Sequence, residues 1–271
     1  MTILLTGGTG LVGSRLLQRF AEAGIACRAL VRPGTTVPAL VEPVVGDILD
    51  SASLAEGVRG VSAVVHLAAV FRTLDDELIW RVNLEGTRDL VDAVQAQAPD
   101  ARFIMASTTN VYDIDSPHPG REDDAVHPSL AYPASKVAAE RMLRESGVNW
   151  AILRFGFVYG DGDGHLDALP EHAIKANWHP ASKMSIVHHR DIAVAVQLAL
   201  SGALDRHVVN IVDEAPTSIY ELVKLVGATV QASSRPLSNP WHLHVDGALG
   251  RRLGFTPTVA TIYQAQRERL L

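Results

Sequence analysis

The stretch Thr6-Gly7-Gly8-Thr9-Gly10-Leu11-Val12-Gly13 decides how the rest of the chain is read. It follows an apolar run, Ile3-Leu4-Leu5, that reads as a buried strand. It opens an amphipathic segment, 11–23, that reads as a helix. Strand, glycine turn and helix, in that order, form the setting in which a glycine fingerprint binds a dinucleotide. Gly7 and Gly8 can take backbone angles closed to residues with a Cβ. Gly10 is expected to let the backbone approach a pyrophosphate, and Gly13 to let the helix pack closely on the strand. The helix N-terminus adds unpaired N–H groups and the positive end of a dipole.

Outward from this turn, strand and helix signals alternate. Strands are expected at 26–31, 43–46, 63–67, 102–107, 150–154 and 208–212. Helices are expected at 53–58, 74–98, 134–145, 192–200, 219–226 and 263–271. Continuous apolar strands joined by helical crossovers imply a parallel sheet covered on both faces, and the right-handed crossover rule makes it doubly wound. The fold class is therefore α/β. After residue 155 Pro and Gly become frequent and elements shorten. We expect residues 1–155 with 187–212 to form the dinucleotide-binding domain, and 156–186 with 213–271 a smaller C-terminal substrate lobe.

Composition narrows the partners. The 271 residues are 47% hydrophobic and 20% charged, enough for a sizeable core, and the net charge of −6 leaves no basic footprint for nucleic acid. With one cysteine, Cys27, no disulfide can form within the chain. No apolar run reaches the roughly 18 residues of a membrane span. The first strand begins at once, leaving no room for a signal peptide, so a cytoplasmic protein without membrane partners is expected.

A second motif carries chemistry. In Tyr132-Pro133-Ala134-Ser135-Lys136, Tyr and Lys stand at i and i+4, on one helix face. Pro133 suits a first helical turn. A free tyrosine is a poor proton donor and acceptor at neutral pH, and a nearby ammonium favours its phenolate. Strand 102–107 runs into Thr108-Thr109-Asn110-Val111-Tyr112, which puts hydroxyls at the carboxyl end of a strand, where ligands of doubly wound sheets bind.

The glycine turn, this strand end and the Tyr/Lys pair, in this order, resemble the extended short-chain dehydrogenases/reductases. That group includes epimerase/dehydratase-like enzymes, dihydroflavonol reductases and hydroxysteroid dehydrogenases. Further matching stretches are Gly46-Asp47-Ile48, His66-Leu67-Ala68-Ala69, Asn83-Leu84-Glu85-Gly86-Thr87, Leu153-Arg154 to Tyr159-Gly160, Val187 to Asp191, and Arg252 to Pro257. The resemblance implies a Rossmann sheet and the following roles. Tyr132 is the general acid in carbonyl reduction and the base in reverse. Lys136 holds the nicotinamide ribose and tunes Tyr132. Thr108, rather than Ser107, bonds the reacting oxygen, and Asn83 supports the site. Gly7, Gly10, Leu11, Val12, Gly13, Asp47, Ile48, Ala68 and Val158 join Lys136 in contacting the cofactor. A homodimer through the helices at 74–98 and 132–145 is also implied.

Cofactor and substrate follow from what stands at particular positions. No acid ends strand 26–31, where an NAD-selective site places one, and Arg32 can pair with a 2′-phosphate. NADP(H) is therefore expected over NAD(H). Only 26 residues separate Gly160 from Val187, and they include Asp161, Asp163 and Asp167, which would repel a diphosphate. Phe157 stands where the family often has a polar pocket residue. Phe155, Phe157, Leu166, Leu169, Trp178 and Met184 could line an apolar pocket. These features favour a reductase or dehydrogenase of a small or medium carbonyl compound or its alcohol. The alternatives are a sugar epimerase or dehydratase that keeps its cofactor, and a non-catalytic dinucleotide sensor. Histidines recur at 165, 172, 179, 188, 189, 242 and 244, but the chemistry needs no metal and none is expected. Arg121-Glu122-Asp123-Asp124 reads as a solvated loop.

Overall fold

The computed structural model describes residues 2–230 and 233–271. Its first half alternates strand and helix: β1 (Ile3–Thr6), α1 (Leu11–Glu22), β2 (Cys27–Val31), β3 (Val41–Val45), α2 (Ser51–Gly57), β4 (Ala63–His66), α3 (Asp76–Trp80), α4 (Gly86–Gln97), β5 (Arg102–Thr108), α5 (Ala131–Glu145) and β6 (Asn149–Phe155). Then come β7 (Phe157–Tyr159), α6 (Leu169–Lys175), β8 (Lys183–Met184), β9 (Ile186–His188), α7 (His189–Leu200), β10 (Val208–Ile211), β11 (Thr217–Ser218), α8 (Ile219–Leu225), α9 (Ala248–Arg252) and α10 (Ile262–Arg267). Seven of the strands form one parallel sheet in the order β10-β6-β5-β4-β1-β2-β3. The order reverses beside β1, and ligands of such sheets bind at that point, beyond the strands' carboxyl ends. The doubly wound α/β reading holds.

Strand alternation sends successive β1 side chains to opposite faces. Ile3 and Leu5 pack with Leu16, Leu17 and Phe20 of α1 and Ile192 and Val196 of α7. Leu4 packs with Leu54 of α2, Leu90, Val91 and Val94 of α4, and Leu143 of α5. All three β1 side chains are fully buried, so truncating one of the leucines to Ala costs about 2–5 kcal/mol. A third apolar cluster joins Tyr159, Leu166, Leu169, Met184 and Ile186 to Ile219, Leu222, Val259 and Ile262.

Three local expectations are corrected. The helical signal at 74–98 is not one α-helix: Arg81–Glu85 form a widened π-type turn between α3 and α4. There Thr87 Oγ1 donates to the carbonyl of Asn83 at 2.6 Å, and such back-bonding loosens a helical ladder. The last helix ends at Arg267 rather than running to 271. The carbonyls of Leu270 and Leu271 instead accept from the N–H groups of Asp161 and Gly162. Finally, the loop at 121–124 is not merely solvated. β10 is an edge strand, and the Glu122 carboxylate accepts from its outward Asn210 N–H at 2.8 Å. Burial raises the Glu122 pKa above the ordinary carboxylate value.

Candidate active site

A cleft of about 1830 Å³ runs along the carboxyl ends of the sheet. Its floor is the glycine turn. Gly7 has φ +73°, and a Cβ there would lie 2.6 Å from the Ala68 nitrogen. A Cβ on Gly13 would strike the Gly7 carbonyl oxygen and come within 2.8 Å of Gly8 Cα. Gly13 thus serves close packing of α1 on the glycine turn itself, not on the strand as expected. No side chain caps α1, whose N-cap is Gly10, so its first N–H groups stay free for an anion. Leu11, Val12, Arg32, Asp47, Ile48, Ala68 and Val158 line the same cleft. This combination of a cradle that admits no Cβ and unpaired N–H donors fits a dinucleotide's pyrophosphate. Asp47 is also structural, since its carboxylate accepts from Leu49 N–H at 3.0 Å and shapes the turn after β3.

Tyr132, Lys136 and Thr108 all line this cleft, with the Thr108 hydroxyl bonded to the Tyr132 phenol. Tyr132 lies in the first turn of α5, Lys136 one turn on, and Thr108 ends β5. Burial pushes the Tyr132 phenol up to about 12, and the Thr108 hydroxyl facing it pulls the other way. The phenol is thus protonated at neutral pH, and the expected lowering by the Lys136 ammonium is not found: burial, which favours the neutral phenol, prevails. Burial lowers the Lys136 ammonium to about 8, opposed by the charge of Glu140 one turn further along α5. Ser107 lines the same cleft, but its hydroxyl is already engaged. Its hydroxyl donates to Glu140 Oε1 at 2.5 Å, and Arg154 grips the same carboxylate through Nε at 3.1 Å and Nη2 at 2.6 Å. Arg154 also donates to the Tyr112 hydroxyl at 3.0 Å, and Tyr112 to Asn210 Oδ1 at 2.7 Å.

Asn83 does not line the cleft. It is fully buried, its Oδ1 accepting from Val70 N–H at 2.8 Å and its Nδ2 donating to Val70 O at 2.9 Å and Ser135 Oγ at 3.1 Å. It braces the loop after β4 against α5, which makes it a positioning residue. His66 supplies a second brace that motif reading missed. Thr87 Oγ1 spends its proton on Asn83 O, so at 2.9 Å it must accept from His66 Nε2–H; His66 Nδ1 then accepts from Thr6 Oγ1 at 2.7 Å. Burial, then the Lys136 charge, hold this imidazole neutral with a pKa near about 3. Only the position of His66 at a strand end hinted at this role. For Glu140, the hint was its helical spacing from Lys136.

The acids expected to repel a diphosphate turn away from the cleft. Asp161 pairs with Arg19 of α1 at 2.6 Å, and Asp163 with His189 at 2.7 Å. Asp167 does not line the cleft either. The cause is the backbone: Gly160, Asp161, Gly162 and Gly164 all have positive φ, which folds the loop back toward α1 and α7. The apolar set divides as well. Phe155, Phe157, Trp178 and Met184 line the cleft, Met184 from within the third core, whereas Leu166 and Leu169 lie in that core without reaching the cleft. Among the described residues no group of His, Cys, Asp and Glu could hold a metal ion.

The chain belongs to the NAD dependent epimerase/dehydratase family, whose model matches residues 3–211. It is 30% identical over 200 residues to a ceramide reductase of Caulobacter vibrioides, covering 70% of this chain and 58% of that protein. It is 29% identical to a 3-beta-hydroxysteroid dehydrogenase of Mycolicibacterium neoaurum over 91% of this chain and 73% of the other. Among solved structures, it superposes on a UDP-glucose 4-epimerase from Brucella ovis in complex with NAD with a TM-score of 0.82. The identity is 26%, over 98% of this chain and 96% of that one. A short-chain dehydrogenase/reductase superfamily protein from Agrobacterium tumefaciens with bound NAD gives a TM-score of 0.81 at 25% identity, over 99% and 95%. The chain thus spans about three fifths of the ceramide reductase it matches. No helix among the described residues is long and apolar enough to cross a membrane.

Proposed function

We propose that this protein is an NADP(H)-dependent oxidoreductase that reduces a small or medium carbonyl compound, or oxidises the corresponding alcohol. The observation that carries the reading is the convergence of Tyr132, Thr108 and Lys136 on one cleft whose floor is the glycine turn. When bound, the nicotinamide supplies or accepts the hydride. Tyr132 gives its phenolic proton to the carbonyl oxygen as negative charge develops there, and Thr108 holds that oxygen by a hydrogen bond. Lys136 orients the nicotinamide ribose and stabilises the phenolate left behind. Arg32, exposed at the end of β2, suits a 2′-phosphate and motivates the preference for NADP(H). The segments 156–186 and 213–271 act as the substrate lobe.

The experiment is a screen of purified protein with NADPH over aldehydes, ketones and nucleotide sugars. Loss of the NADPH absorbance in proportion to alcohol formed supports the reading. A second reading, an epimerase or dehydratase that retains its cofactor, is favoured by the likeness to the Brucella enzyme. It predicts conversion of a nucleotide sugar with no net absorbance change. From the resemblance to the extended short-chain dehydrogenases/reductases we infer a homodimer through the helical stretch at 74–98 and through the helix at 132–145. Light scattering that returns 29.1 kDa at all concentrations would contradict it.

A further inference from the structure

Arg32, Arg72, Arg81 and Lys136 line the cleft. Arg32 and Lys136 are assigned to the cofactor, and Arg81 opens the widened turn before α4. Arg72 has no such task, and it stands beside the reaction. Its guanidinium carbon lies 5.0 Å from the centre of the Phe71 ring, and that ring lies 5.5 Å from the ring of Tyr132. One aromatic ring therefore separates a permanent positive charge from the proton donor.

This charge is held in place and left unpaired. Arg72 has φ +56°, a left-handed backbone that a residue with a Cβ keeps only where its surroundings impose it. From the loop after β4 it reaches the loop after β7, where its Nη2 donates to His165 Nε2. His165 is itself fixed, with Nδ1 donating to the Val158 carbonyl at 2.9 Å and the ring stacked on Phe157 at 4.7 Å. A proton on Nδ1 leaves Nε2 as an acceptor, so the imidazole orients the guanidinium without neutralising it. Burial, then the Arg72 charge, hold His165 below the usual imidazole range. Among the described residues Arg72 pairs with no carboxylate, and its Nε and Nη1 make no hydrogen bond. The acids that line the cleft are Asp47, Asp113 and Asp115. Asp47 and Asp113 already accept from the N–H groups of Leu49 and His127.

A guanidinium that gives one N–H to an imidazole keeps an edge for a planar oxyanion, which it can grip by two parallel bonds. A single such charge matches a monoanion, whereas a diphosphate would be left short of cations. We propose that Arg72 determines specificity by holding a carboxylate of the substrate, so that the compound reduced is a short oxo acid. The proposal rests on the carbonyl-reductase reading and deepens it. The carboxylate is only bound. The carbonyl carbon takes a hydride from NADPH, its oxygen takes the Tyr132 proton, which solvent replaces, and the products are a hydroxy acid and NADP⁺.

The test compares pairs of compounds that differ in one ionised group: levulinate with methyl levulinate, benzoylformate with methyl benzoylformate, and dihydroxyacetone phosphate with dihydroxyacetone. Each is assayed for NADPH turnover, and for binding by calorimetric titration of the NADP⁺ complex, in which no reduction can occur. At least one oxo acid is expected to have a kcat/KM at least about tenfold above that of its ester, mainly through KM. Arg72→Gln is expected to bring that ratio to about one, and Arg72→Lys to restore part of it, because the charge returns without the fork. His165→Leu, which releases the guanidinium, is expected to lower the ratio by about threefold. Esters used as well as their acids, or a ratio that survives Arg72→Gln, overturn the assignment. A larger gain for dihydroxyacetone phosphate over dihydroxyacetone than for either acid over its ester overturns the carboxylate in favour of a phosphate. Titration separates the two levels of the argument. An oxo acid that binds the unaltered protein but not Arg72→Gln, without turnover, supports the role of Arg72 and contradicts the reductase reading. Turnover of the esters with no preference for the acids does the reverse. Neither binding nor turnover of any of the compounds overturns both.

Discussion

Two walls face each other across the cleft, and they differ in how their polar groups are satisfied. On the sheet side, the groups around Tyr132 and Lys136 are bonded to one another. His66 links Thr6 to Thr87, Asn83 links Val70 to Ser135, and Arg154 and Ser107 share Glu140. On the C-terminal side the rings of His172, His242 and His244 make no hydrogen bond among the described residues, and Phe157, Trp178 and Trp241 line the cleft beside them. Closed networks fix rotamers before any ligand arrives, which suits a part that meets the same cofactor in every turnover. Open polar atoms among flat apolar faces leave the choice of partner to the substrate. In a fold shared by epimerases and reductases, the chemistry of the second wall decides between them.

The comparison can be broken most severely at the cradle. Gly13→Val drives a side chain into the Gly7 carbonyl and should weaken NADPH binding on the order of a hundredfold or more, read by fluorescence titration. Substrate-side variants should leave that titration unchanged. Next comes the network behind Lys136. Arg154→Met strands a buried Glu140 carboxylate, and chemical denaturation should register a loss of about 3–5 kcal/mol. Adding Glu140→Gln should recover part of it, because the uncompensated charge is gone. A loss from Arg154→Met below about 1 kcal/mol would show the sheet-side wall to be less closed than described.

Smaller effects sharpen the picture. Arg32→Asp should shift the ratio of NADPH to NADH affinity by about tenfold or more toward NADH, measured as two dissociation constants. Equal constants for the two cofactors in the unaltered protein would remove the reason for assigning Arg32. The pH profile should move least. Lys136 loses its proton as pH rises through about 8, whereas Tyr132 keeps its own to about 12. Cofactor affinity should therefore fall above pH about 8 by severalfold, with the phenol still protonated. Lys136→Met should flatten that limb, and a limb that persists in the variant would assign it to another group.

Much of this was legible in the chain. Alternating apolar strands and amphipathic helices announced the sheet, because burial on both faces demands that pattern. The spacing of Tyr132 and Lys136, set against Thr108 at a strand end, pointed to three residues that line one cleft in the structure. Side-chain partners far apart in sequence were not legible. Asp161 looked like a pocket acid until its left-handed backbone turned it toward Arg19, a contact across 142 positions. Glu122 looked like solvated charge until the edge strand offered it Asn210. Gly13 looked like a helix–strand spacer because only coordinates bring the Gly7 carbonyl under it. The distinction between bonded and unbonded histidines lies in the same class, since identical residues spaced along the chain end in opposite situations.

The central claim is that Tyr132 delivers the proton in a reduction that consumes NADPH. It is tested most directly by comparing the unaltered protein with Tyr132→Phe in two measurements, NADPH dissociation constant and turnover with the best carbonyl compound from the screen. Phe keeps the ring that packs beside Phe71, 5.5 Å between centroids, and removes only the transferable proton. The account predicts a dissociation constant within about threefold of the original and turnover lowered by on the order of a hundredfold or more. Near-full turnover in Tyr132→Phe would contradict it and move the acid elsewhere in the cleft.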